Sequence, residues 1–105
     1  NNTKKTKLII LKNQNKIKQA LRYAKENFKK RKITFFNSRV NSITFDCLTH
    51  NRREKIFKYL YNYKIYTLKL GGKKLDRFIN ITTTNIQNLK FFFKKIDEFN
   101  YNNRN

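Results

Sequence analysis

The sequence predicts an α+β fold: a two-layer α/β sandwich in the order β-α-β-β-α-β-β, with two helices on one face of a mixed or antiparallel sheet. Three observations carry this. Apolar residues recur at helical spacing over residues 17–28. A second, aromatic helix is opened by Asn51-Arg52-Arg53-Glu54, which has the spacing of a capping box with Asn in place of Ser or Thr. Apolar residues alternate over Ser42 to Leu48 and over Phe78 to Thr82, the period of a strand.

Each element follows in order. Residues 1–7 are polar and basic and read as an extended arm before a single domain over residues 8–99. Leu8-Ile9-Ile10-Leu11 is a short apolar run, expected as a buried first strand that Asn13-Gln14-Asn15 breaks. Ile17, Ala20, Leu21, Ala24 and Phe28 then form one helical face, with Asn15 as the expected cap. The basic run Lys29 to Lys32 closes that helix, where positive charge suits the C-terminal dipole. Ile33 to Phe36 and Ser42 to Leu48 are β-branched and aromatic and read as a hairpin around Asn37 to Asn41. The second helix carries Ile56, Phe57, Leu60 and Tyr63, is expected to continue toward Leu68, and has Gly71-Gly72 as its stop. Ile79 and Ile81 mark one face of the next strand, and Thr83-Thr84-Asn85 a turn. Leu89, Phe91 and Phe93 alternate with Lys90, Phe92 and Lys94, predicting a half-buried last strand before a polar, frayed tail over residues 100–105.

The charge balance constrains partners. Of 105 residues, 26 are Lys or Arg and only 6 Asp or Glu, a formal net charge of +20. Such self-repulsion is relieved by a polyanion, commonly nucleic acid and more rarely an anionic membrane surface. An aromatic content of 15% separates the chain from basic disordered tails and implies a core. Asn, Lys, Ile, Phe and Tyr all have A/T-rich codons, so the positions of the cations weigh more than their number. A single cysteine, Cys47, excludes an internal disulfide and a multi-cysteine zinc site. The longest apolar run falls far short of the roughly 20 residues of a membrane span. No secretory core follows the basic start, so the expectation is a soluble intracellular protein without membrane association. The chain begins at Asn1 rather than Met, as a processed or trimmed chain does.

The element order, and several short segments, resemble the eukaryotic ribosomal large-subunit protein 22 family, which is unrelated to the bacterial protein of the same number. Lys55-Ile56-Phe57-Lys58-Tyr59-Leu60 is similar to the family's Arg-Tyr-Leu-Lys-Tyr-Leu on its second helix. Leu75-Asp76-Arg77-Phe78-Ile79 is similar to Leu-Arg-Asp-Trp-Leu with the charged pair reversed, and Leu89-Lys90-Phe91-Phe92-Phe93 to a closing Leu-Arg-Tyr-Phe strand. Lys32-Ile33-Thr34-Phe35 and Ser42-Ile43-Thr44-Phe45 stand where the family has its central hairpin. The chain departs from the pattern in extra residues around Gly71 and Gly72, in lacking the Thr-His-Pro segment and the acidic tail, and in Glu54 at a usually basic position. The resemblance implies a shortened form from an A/T-rich, reduced eukaryote. It implies a place on the solvent side of the large subunit, contacts to ribosomal RNA and to neighbouring large-subunit proteins, and a cytoplasmic location with nucleolar assembly. A mitochondrial ribosome is the alternative location.

Four basic clusters are the candidate RNA contacts: Lys4, Lys5 and Lys7; Lys29, Lys30, Arg31 and Lys32; Arg52, Arg53, Lys55 and Lys58; and Lys69, Lys73, Lys74 and Arg77. Each cation near a phosphate releases counterion and makes binding salt-sensitive. Singly, any of these lysines also reads as a solvated surface charge. The start of the second helix is the preferred element, because free backbone N–H groups there favour phosphate and arginine grips it with two prongs. Tyr59, Tyr61 and Tyr66 either stack on unpaired bases or pack against the sheet or a neighbour. Phe91, Phe92 and Phe93 read as core.

Catalytic readings are thin. Cys47 and His50 are an odd number of residues apart and would face opposite sides of a strand, so Cys47 reads as buried and His50 as a loop residue. Six carboxylates supply no paired acid and base, and Gly71-Gly72-Lys73 lacks the remainder of a phosphate-cradling loop. No cofactor, metal or small-molecule substrate is expected. The expected function is a structural ribosomal constituent. The alternatives are another ribosomal protein, a stand-alone nucleic-acid-binding regulator and, in a different class, a small RNA-processing enzyme.

Overall fold

The computed structural model describes residues 2–103, with side chains from residue 14. The elements are α1 (Asn2–Lys30), β1 (Phe35–Arg39), β2 (Ser42–Asp46), α2 (His50–Asn62), β3 (Leu68–Lys69), β4 (Phe78–Thr82) and α3 (Ile86–Asn102). The class is α+β as expected, with three helices and a four-stranded antiparallel sheet among the described residues. The order is α-β-β-α-β-β-α rather than β-α-β-β-α-β-β.

Both ends of the chain account for the difference. Leu8 to Leu11 is helical, not a strand, and so is the arm from Asn2 onward. A four-residue apolar run has no period of its own, and Asn13-Gln14-Asn15 costs a helix only tenths of a kcal/mol per residue, so α1 runs through both. Asn15 is therefore interior to α1 and caps nothing. At the other end, Leu89 to Phe93, read as a closing strand, lies in α3. Three adjacent phenylalanines fit either period over five residues. Over the longer window Leu89, Phe92, Phe93, Ile96 and Phe99 are the buried set, at helical spacing. The Asn85 side chain caps α3 by accepting from the Asn88 N–H at 3.1 Å. The tail from Asn100 continues α3 to Asn102, while Arg104 and Asn105 lie outside the described residues.

α2 also has different ends. Its cap is Thr49, whose hydroxyl accepts from the Arg52 N–H at 3.1 Å, and not the box at Asn51. It stops at Asn62, well short of the glycines. Lys64 takes the left-handed conformation (φ 62°), its N–H bonds to the Tyr61 carbonyl at 2.9 Å, and the Ile65 N–H bonds to Leu60 at 2.9 Å. That is the two-bond Schellman termination. α1 ends identically at Lys32 (φ 57°), with Lys32 bonded to Lys29 and Ile33 to Phe28, both at 3.0 Å.

The strand order is β1-β2-β4-β3. Phe45 opposes Phe35 on one side and Ile79 on the other, and Ile43 opposes Ile81. Alternation turns these residues to one face, where they join Ala20, Ala24 and Phe28 of α1, Ile56 and Leu60 of α2, and the buried stripe of α3 in one core. Phe28 is its hub, with ring centroids 5.6 Å from Phe35, 5.2 Å from Phe45 and 4.9 Å from Phe93. The small Ala20 and Ala24 sit on the same stripe of α1 and are fully buried.

Candidate nucleic-acid interface

The topology gathers charge at one end of the sheet. α1 arrives at β1 there, β2 leaves there for α2, and the connection from β3 re-enters β4 there. Three basic clusters that are distant in sequence therefore meet: Lys29 to Lys32, Arg52 to Lys58, and Lys69 to Arg77. Arg31, Lys32 and Arg52 line one recess of about 170 Å³. Arg52 and Lys55 line another of about 380 Å³ with Thr49, Asn51 and the last turn of α3. The fourth cluster stands apart. Lys4 lies about 37 Å from Lys29 along the axis of α1, at 1.5 Å per residue, and the side chains of Lys4, Lys5 and Lys7 are outside the described residues.

The cations at this end divide into struts and free charges. Arg53 is 6% exposed. Its Nη1 donates to the backbone carbonyls of Leu70 at 2.6 Å, Leu75 at 3.3 Å and Phe78 at 3.4 Å, and its Nη2 to Glu54 at 3.1 Å. It fastens the β3–β4 connection to α2 and presents no guanidinium to a ligand. Arg31 grips Asp97 and lies 4.6 Å from the Phe93 ring centroid. Lys69 pairs with Glu54 at 2.7 Å on the helix side, and Arg77 pairs with Asp46 at 3.1 Å. The Lys69 hydrogen bond is the main reason the Glu54 carboxyl is held below its ordinary value. Arg52 donates to the Asn100 side chain and lies over Phe99. Lys29, Lys30, Lys32, Lys55, Lys58, Lys73 and Lys74 are exposed, and no ion pair among the described residues engages them. They form the unpaired positive charge of this end of the surface.

Sequence reading missed the sheet's second face. Phe36, Thr44, Asn80 and Leu68 lie in one row across the four strands. Asn80 donates to Ser38 at 2.6 Å and to Thr44 at 3.1 Å, and the Ser38 and Ser42 hydroxyls are 2.8 Å apart. Phe36, 45% exposed, meets Phe78 edge-on across this network, and Arg39 and Arg77 stand at its margins. The alternation of Ser, Thr and Asn with the core residues carried that information. Of the tyrosines, Tyr61 and Tyr66 are exposed, whereas Tyr59 packs on Phe99 and donates to Glu98 at 3.1 Å.

Cys47 is buried, and desolvation pushes its thiol up to about 12, far from a nucleophile's range. His50 opens α2, its Nδ1 3.0 Å from the Asp76 carbonyl. Gly72 has φ 93° and supplies a turn, with open space around both glycines rather than a cradle. No cluster of metal-ligating side chains occurs among the described residues, and no helix among them is long and apolar enough to cross a membrane. No family model, no curated protein and no solved structure matches this chain.

Proposed function

We propose that this chain is a non-catalytic RNA-binding protein and a structural constituent of a ribonucleoprotein particle. The observation that carries the reading is the convergence of three basic clusters on one end of the sheet, where seven exposed lysines remain outside the ion pairs made by Asp46, Glu54 and Asp97. The phosphate backbone is the ligand that fits such a surface, because the free charges are point-like lysines that hold phosphates without demanding a sequence. In this reading the three helices form one layer on the core face of the sheet and orient the basic end. The sequence resemblance makes the large ribosomal subunit the first candidate particle, with ribosomal RNA and neighbouring large-subunit proteins as partners. Cytoplasmic ribosomes assembled in the nucleolus are the first candidate location, and mitochondrial ribosomes the second.

The test is binding of the full chain to a structured RNA hairpin between about 50 and 200 mM salt, where several phosphate contacts weaken affinity by orders of magnitude. Absence of a salt-dependent affinity overturns the reading. Sedimentation of a native lysate then places the protein: co-migration with large subunits in moderate salt supports the ribosomal assignment, and its absence from every ribosomal peak removes it.

The polar network around Asn80 favours a second reading, a stand-alone nucleic-acid-binding regulator. Ser38 is exposed and Asn80 half-buried in that network, braced by the buried Ser42 and Thr44 hydroxyls, and a fixed amide and hydroxyl at a surface are the chemistry that reads base edges in a duplex groove. Preference for one duplex sequence over scrambled controls distinguishes it from the first.

A further inference from the structure

At the other end of the sheet lies a pocket of about 310 Å³ between the end of α2, the chain leading into β3, the end of β4 and the start of α3. Its wall combines three kinds of group. Tyr63, Tyr66 and Phe91 are aromatic and 42%, 69% and 41% exposed. Asn85 and Asn88 bring side-chain amides, and the Asn85 oxygen is committed to capping α3 while the Asn88 amide has no partner among the described residues. Lys64 brings the charge, held at the mouth by the Schellman termination of α2.

We infer that this pocket receives one unpaired base of the bound RNA strand, an assignment that rests on the RNA-binding reading above. Aromatic rings supply a stacking surface, and an amide offers the donor and acceptor that a base edge requires. The volume falls at the lower limit of small-ligand sites, as a single base demands. Tyr66 is the platform. Its ring is braced edge-on by Tyr61, with centroids 5.4 Å apart, which holds it in place while leaving it exposed. Tyr63 is less available, since the Lys95 ammonium lies 3.8 Å from its centroid.

A path joins the pocket to the basic end. Lys55 and Lys58 are exposed on α2, and Tyr61 follows one turn on, about 9 Å along the axis from Lys55. A strand whose phosphates are held by Lys55 and Lys58 is thereby led to the Tyr61–Tyr66 pair and Lys64. The base stacks on Tyr66, the Asn88 amide meets its edge, and Lys64 holds the adjoining phosphate.

Stacking and charge separate by salt. The probe is a short single-stranded RNA carrying one 2-aminopurine, titrated with the full chain across a salt series. Binding is expected to quench the probe. Tyr66→Ala is expected to relieve the quench and weaken affinity about tenfold with an unchanged salt slope, because the lost contact is uncharged. Tyr66→Phe keeps the ring and should behave as the unsubstituted protein, which excludes a folding defect. Lys55→Ala should do the opposite, flattening the slope and keeping the quench. Salt-dependent binding that Tyr66→Ala leaves unaltered overturns the pocket assignment alone. Failure of the unsubstituted protein to bind either this RNA or the hairpin overturns both readings. Tyr66-dependent binding of free adenosine monophosphate at least as tight as that of the RNA strand assigns the pocket to a free nucleotide and overturns the strand-base inference.

Discussion

The guanidinium of Arg31 holds both carboxylate oxygens of Asp97, Nε at 2.7 Å and Nη2 at 2.9 Å, and so ties the C-terminal end of α1 to α3. Nη1 of the same group returns to the Asn27 carbonyl at 3.1 Å and to its side chain at 2.8 Å. All three nitrogens of the fork are thus engaged within the protein. Asp97 is 54% exposed, so the pair is screened, and Asp97→Asn should cost only about 0.5–1 kcal/mol of stability. The same change removes one of the chain's six acidic residues, the one that pairs with Arg31 at the basic end. At about 8 Å in water that charge is worth about 0.5 kcal/mol, so RNA affinity at low salt should rise about twofold. Urea unfolding and hairpin binding of the one variant are expected to move in opposite directions. A fall in both would mean that Asp97 supports the binding surface itself.

Arg53 and Lys55 are two residues apart and behave oppositely. Truncating Arg53 leaves the Leu70 carbonyl without its donor, while the Leu75 and Phe78 carbonyls keep the N–H groups of Phe78 and Leu70, and it removes one of the donors to Glu54. Arg53→Ala should cost about 2–3 kcal/mol, the penalty for unsatisfied buried polar groups with a charged partner. Arg53→Lys should recover little of it, since an ammonium cannot span the same fork. Lys55→Ala should leave stability within about 0.5 kcal/mol and lower the salt slope of RNA binding by slightly less than one contact. Chemical denaturation and a salt titration, run on both variants, check the pair.

The parts of the fold written in long, regular patterns were legible. The strand at Phe78 to Thr82 and the apolar stripes of α1 and α2 stand where periodicity places them. The hairpin exists too, but its first strand is Phe35–Arg39, so that Asn37 to Arg39, expected in the turn, belong to β1, and its second ends at Asp46 rather than Leu48. The misread segments were those in which a short window fits two periods: Leu8 to Leu11, and Leu89 to Phe93. Widening the second window to Phe99 resolves it, because Ile96 and Phe99 extend only the helical series. The candidate site was legible as a set of charges and illegible as a surface. Arg53 and Arg52 are neighbours in sequence and share a composition, yet one is swallowed by the β3–β4 connection and the other lines two recesses. That division follows from a loop carbonyl contact across 17 positions, which no local pattern encodes.

The ends of α1 and α2 show the same limit and give a sharp test. Both place a lysine in the left-handed region, Lys32 at φ 57° and Lys64 at φ 62°, where glycine is the usual occupant. The β-carbon makes this conformation costly by about 1 kcal/mol. Lys64→Gly and Lys32→Gly should therefore each raise stability, by roughly 0.5–1 kcal/mol after the added flexibility of the unfolded chain is counted. Lys32→Gly should also weaken hairpin binding, since Lys32 lines the recess shared with Arg31 and Arg52. Thermal unfolding and hairpin affinity together separate the two roles. Destabilisation by either glycine would mean that the lysine stem contributes packing that outweighs its backbone strain.

Cys47 links the core to pH. Its thiol is fully covered between the sheet and α2, and burial, followed by the neighbouring Asp46 charge, raises it from 9.0 to about 12. A group raised in the folded state contributes stability that is complete below its unfolded value and declines as pH climbs toward the folded one. Tyr59 acts in the same sense, raised from 10.0 to about 12 by desolvation first and by its Tyr63 and Glu98 hydrogen bonds next. The fold should therefore weaken progressively from about pH 9 upward. At pH near 8 the thiol should resist disulfide-exchange and alkylating reagents until denaturant exposes it, whereupon one equivalent reacts. Cys47→Ala should reduce the alkaline loss while costing some packing, and Tyr59→Phe should reduce the part above pH 10 without touching the thiol. Urea midpoints across the alkaline range for the three proteins decide it: a flat profile for the unsubstituted chain, or rapid labelling of the folded thiol, would place Cys47 in contact with solvent.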